Sequence, residues 1–220
     1  MSSPASPQVT VRGEAVLAVE PEVADVDVTV TGRGRDRQTA LERCTGRQAQ
    51  VSAVVRAAGD DIETVATTGV AVHPEMTDGG PPTSVASVHT RLTVARLDAV
   101  GDLLLALGEL DDVDVFGPVW RLRPQSPVYE QARLAAVRDA VRRARQYAAA
   151  FGAQLIAVLA VSDAGLSGAG SARFAVPMAA MARFEAAEPA FDLAPARQEV
   201  QGVVEVRFAM SEPDEEALRE

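Results

Sequence analysis

The sequence predicts an α+β fold: largely antiparallel sheets packed against one long and two shorter helices. Three observations lead there. Strict period-2 alternation marks several strands, apolar residues at helical spacing mark the helices, and the helices interrupt hairpins rather than alternating singly with strands. The predicted order is β-β-α-β-β-α-β-α-β, then a long excursion, then a last strand.

Residues 1–7 form a Ser/Pro/Ala lead that is expected to be flexible. From Val9 to Val19, Val9, Val11, Ala15, Leu17 and Val19 fall on one face of a strand. Glu20-Pro21-Glu22 breaks it. Alternation resumes over Ala24–Thr31, with Val26, Val28 and Val30 on one face and Asp25, Asp27 and Thr29 on the other. A hairpin joined by the short Pro turn is the expected arrangement. Gly32–Asp36 reads as a polar turn, and Thr39–Ala58 as an amphipathic helix stopped at Gly59 by a left-handed cap. Ile62–His73 and Ser84–Ala95 then form a second hairpin around a Gly/Pro tip. Asp98 is the expected N-cap of a short helix ending near Gly108. Val113–Arg123 is a strand in which Gly117-Pro118 signals a bulge or an edge position.

The long helix spans Val128–Phe151, with Ala132, Ala136, Ala140, Ala144 and Ala148 on one face, and Gly152 follows it. So narrow a face predicts close packing against a sheet. Arg133, Arg138, Arg142 and Arg145 line the outer side. Leu155–Ser162 is an apolar strand, 163–197 is a long irregular excursion rich in Gly, Ala and Ser, and Val200–Met210 closes the domain. The expected organisation is one α+β domain over 8–210, with an acidic tail at 211–220.

The 220 residues carry a net charge of −10 and are 47% hydrophobic, enough for a substantial core. Such a charge disfavours a nucleic-acid surface, which needs clustered cations. The chain contains no lysine, which excludes Schiff-base chemistry and a P-loop. Cys44 is the only cysteine, so no intrachain disulfide can form, and its helical setting predicts a buried thiol. No run reaches the roughly 20 apolar residues of a membrane helix, and no leader pattern is read at the N-terminus. A cytoplasmic location is the expectation.

The search for chemistry yields few candidates. His73 and His89 are the only histidines. A hairpin tip centred on Pro81 would set them opposite each other, as the start of a metal site with Glu75 or Asp78. Asp25/Asp27 and Asp111/Asp112/Asp114 read as solvated faces rather than acid/base pairs. Gly165–Ala172 is Gly-rich but lacks a phosphate-loop lysine, and Ser162-Asp163 lacks a nucleophile-elbow pattern. Phe174, Met178, Met181 and Phe184 have helix-like spacing and form the best interaction candidate.

Three ordered motifs carry a resemblance. The opening Val9, Val11, Gly13, Glu14, Val19, Pro21 and Ala24 is the first, and Gly59-Asp60-Asp61-Ile62 with Thr64 is the second. The third is the run Ala136, Ala140, Ala144, Tyr147, Ala148, Gly152, Leu155 and Val158. Together, over about Val9–Met210, they resemble the SIMPL-domain (DUF541) family, which includes a bacterial periplasmic immunogenic protein. The chain departs from the common pattern at Ala15 and Glu22. The resemblance implies an α+β fold, a tendency to homo-oligomerise and no known catalytic residues, and it leaves an envelope location open. A non-enzymatic, self-associating scaffold or interaction protein is therefore expected, with no cofactor and with room for an unidentified protein partner. The alternative is a small-molecule or metal-binding protein that uses a pocket between sheet and helix.

Overall fold

Alternating valines build the larger core. Val26, Val28 and Val30 sit on one face of β2 (Val23–Gly34) and are fully buried. Opposite them pack Ala40, Cys44 and Val51 of α1 (Arg37–Ala58). The computed structural model describes residues 7–76, 82–163 and 193–214. Most of the lead, the excursion and the tail lie outside that range.

Four strands form one sheet in the order β3-β4-β2-β5, with β3 at Ile62–Glu75, β4 at Thr83–Val94 and β5 at Val113–Arg121. Its resolved registers are all antiparallel. Helix α1 and the short α2 (Val100–Gly108) supply the apolar residues of this core, including Leu103 and Leu107. Asp36 caps α1 by accepting the Thr39 N–H at 2.8 Å. Gly59 ends it with φ +56, the positive backbone angle that glycine alone adopts without strain.

A second, three-stranded sheet has the order β1-β7-β6, with β1 at Gln8–Val19, β6 at Leu155–Asp163 and β7 at Gln198–Met210. Helix α3 (Pro127–Ala150) packs on it, and Val11, Val204, Val206 and Phe208 meet Ala136, Ala140 and Ala144. The chain thus divides into two compact units. One holds β1, α3, β6 and β7; the other holds the four-stranded sheet with α1 and α2.

The fold class agrees with the sequence reading, three local expectations change, and the one at Gly117-Pro118 holds. Strands β1 and β2 do not pair as a hairpin, because they belong to different sheets. After Pro21, which has no N–H to offer a ladder, the Glu22 N–H donates to the Arg121 carbonyl at 2.9 Å and commits the chain to the four-stranded sheet. Gly32 and Gly34 are strand residues rather than a turn. A Cβ on Gly32 would lie 2.4 Å from the Ala40 carbonyl oxygen, so these glycines are where α1 sits down on β2. Asp98 does not cap α2. It lies inside a 3₁₀ turn, Leu97–Ala99, that precedes the helix, and its carboxylate faces Arg96 at 3.5 Å. Finally, β5 runs at the sheet edge and is bulged opposite Asp25 and Asp27, so Gly117-Pro118 marks both features at once.

Candidate interaction surface

The reactive residue types lie apart. His73 pairs with Val85, and His89 pairs with Gly69, so the two histidines are not cross-strand partners. Val85 and His89 are four residues apart on β4, roughly 13 Å along the strand. The hairpin closes with Glu75 against Thr83, displacing the register from a tip at Pro81. His89 instead has Nδ1 2.9 Å from the Thr29 hydroxyl. No cluster of three metal-ligating side chains occurs among the described residues.

The aspartates of β2 are engaged. Asp25 is only 6% exposed, so it is not part of a solvated face as its alternation suggested. Arg121 donates to both of its oxygens, at 2.6 and 2.7 Å, and the Thr93 hydroxyl donates at 3.0 Å. Burial alone would push the Asp25 carboxyl up. The hydrogen bonds from Arg121 and Thr93, with the charges of Arg121 and Arg91, outweigh it and hold the group below the usual carboxylate range. Asp27 takes a bidentate pair from Arg91 at 2.8 and 2.9 Å. Asp111 and Asp112 face Arg47 at 3.4 and 3.7 Å. Cys44 is buried, as its helical position predicts, and burial pushes its thiol up, away from the reactive thiolate.

The surface of the other unit differs in kind. Helix α3 presses its alanine face so closely onto the sheet that a Cβ on Gly13 or Gly202 would lie 2.1 Å from a helix carbonyl. The helix lies over β1 and β7 and only marginally over β6. Ile156, Val158, Leu159 and Val161 of β6 are therefore 47–66% exposed, although the run reads as a buried strand. Leu134 and Val137 extend the apolar strip along α3. Val141, Arg145, Leu155, Ile156, Val158 and Phe208 line a groove of about 600 Å³ between helix and strand.

Charge on α3 is divided. Asp139 accepts from the Glu14 N–H at 3.1 Å, pairs with Arg142, and faces Arg143 at 3.0 Å. The Glu14 hydrogen bond is the main cause that holds its carboxyl low. Arg133, Arg138 and Arg145 make no ion pair among the described residues. The sequence names this arginine strip and the apolar strand separately. The exposure of β6 is what it misses, because nothing local says how far a helix reaches across a sheet. Phe174, Met178, Met181 and Phe184 lie outside the described residues. No described helix is long and apolar enough to cross a membrane.

The model of the SIMPL family, described as a protein of unknown function (DUF541), matches residues 9–208. No curated protein matches the chain.

Proposed function

We propose that this chain, which belongs to the SIMPL (DUF541) family, is a non-enzymatic, self-associating scaffold or interaction protein. One observation carries the reading: a nine-residue strand on the edge of its sheet holds four large apolar side chains that are 47–66% exposed. Natural sheets blunt such edges with charge, proline or cover, because an open edge pairs with other chains. Between Leu155 and Ser162 this strand has no charged residue and no proline. The contiguous apolar strip on α3 enlarges the patch. The non-enzymatic part rests on where reactive groups lie. Cys44 is buried, the histidines are separated, and Asp25 and Asp27 are saturated by arginines.

Sedimentation velocity across a hundredfold range of protein concentration is the test. A mass that rises above the 23.1 kDa monomer with concentration is expected. A monomer throughout would overturn the reading.

A second reading has one observation in its favour, the groove of about 600 Å³ between α3 and β6. Its volume is within the usual range for small ligands, and Arg145 stands beside an apolar wall. That chemistry suits an apolar monocarboxylate. Decanoate should raise the melting temperature by several degrees through linkage, and no shift at millimolar ligand counts against it. The metal form of this alternative has lost its basis, since the register separates His73 from His89.

A further inference from the structure

We infer that two copies of this chain join through β6, strand against strand and antiparallel, to make one continuous sheet across a two-fold axis. The inference rests on the self-association reading and gives it a geometry.

The occupant follows from the edge itself. β6 is the outer strand of its sheet among the described residues, so one side of its backbone meets no neighbouring strand there. An added strand satisfies those groups by main-chain hydrogen bonds. Charge selects a second copy. Two chains of net charge −10 repel each other over most of their surface and approach best where acids are absent. The stretch from Leu155 to Ser162 is uncharged, and Arg138 and Arg145 on the neighbouring helix make no ion pair among the described residues. Antiparallel pairing is isologous, so each copy offers the same surface and the contact closes at two. Full overlap of the nine-residue strand puts its middle residue, Leu159, on the axis. Asp163 at one end then arrives beside Leu155 of the second copy, next to the groove that Arg145 lines. The strand is bulged where it pairs β7, between Leu155 and Ala157 and between Val158 and Ala160. The added strand therefore meets a twisted edge, which limits growth into a longer array.

Cysteine cross-linking tests the axis directly. Side chains at an antiparallel two-fold lie roughly 5 Å apart, within reach of a disulfide or a short bis-maleimide. Leu159→Cys is expected to give a covalent dimer in high yield. Val70→Cys, at a position more exposed than Leu159 (66% against 47%) but on the other sheet, should give little. The native Cys44 is buried and supplies the blank. As a second variant, Val158→Asp sets like charges into the strip. It should weaken association at least tenfold with an unchanged circular dichroism spectrum. Should that variant lose its fold, the cross-link decides. If the chain self-associates but Leu159→Cys links no better than Val70→Cys, the β6 geometry is overturned and the scaffold reading stands. A monomer at every concentration overturns both.

Discussion

Gly202→Ala and Gly13→Ala are each expected to destabilise the unit that holds α3 by about 3 kcal/mol, the upper end of ordinary overpacking. A single methyl has this effect because of what it meets. The new Cβ on Gly202 would sit 2.1 Å from the Ala132 carbonyl oxygen and 2.4 Å from its carbon. On Gly13 it would sit 2.1 Å from the Ala136 oxygen and 2.7 Å from the Ala140 Cβ. Non-bonded heavy atoms rest at about 3.5–4.0 Å, and the obstacles are mostly helix backbone, which no rotamer change can move. The helix must lift, and lifting it uncovers Ala132, Ala136, Ala140, Ala144 and Ala148 together, all of which are buried. Gly46, on α1, is the internal control. A Cβ there meets nothing within 4 Å, so Gly46→Ala should stabilise by about 0.5–1 kcal/mol through helix propensity. Urea unfolding followed by circular dichroism reads both signs. Losses under about 0.5 kcal/mol at Gly13 and Gly202 would show that the helix is not seated on the sheet as described.

The same contacts explain what the sequence makes legible. The five alanines recur every four residues, so their shared burial follows from helix geometry alone. Cys44 and Val51 are placed by the same rule, and Val26, Val28 and Val30 by the period of a strand. Pairing is a different matter. β1 and β2 are neighbours in sequence with a turn between them, yet β1 pairs with β7 near the other end of the chain. Alternation tells which face of a strand is buried, and says nothing about which strand lies beside it. The histidines fail for a related reason. Counting back from an assumed tip fixes a register only if the tip is right, and the observed pairing, unbroken from Glu75–Thr83 to Gly69–His89, is offset by four residues from the one that a tip at Pro81 would set. Asp25 reads as a solvent-facing residue because Arg121, which buries its charge, comes from a strand about a hundred residues later. The exposed run on β6 was the least legible part of the candidate site. Its composition is that of a buried strand, and its exposure depends on where α3 lies across the sheet.

Arg121→Met is expected to cost roughly 2–3 kcal/mol at pH 7, with a deficit that shrinks as the pH falls. Removing one member of a buried ion pair typically costs about 3–5 kcal/mol, because the other charge is stranded. Here Arg121 is 40% exposed at its side chain, so water moderates the loss. Asp25 has no such relief, being 9% exposed at its side chain and dependent on Arg121 for contacts to both oxygens. The direction with pH follows from its lowered carboxyl. A group held below its unfolded pKa adds stability that is present above the unfolded value, near 3.9, and is lost as pH falls through the folded one. The wild type therefore weakens in acid. In Arg121→Met the main hydrogen-bonding partner is gone, burial raises the Asp25 carboxyl, and protonation relieves the variant rather than harming it. Asp36 and Asp139 are also held low, but both proteins retain their partners, so the difference between the two unfolding curves isolates Asp25. Denaturant midpoints measured every half unit from pH 7 to pH 3 should converge toward the acid end. A deficit that stays constant or widens across that range would mean that the methionine acts through packing, and that Asp25 is not the charge Arg121 holds in place.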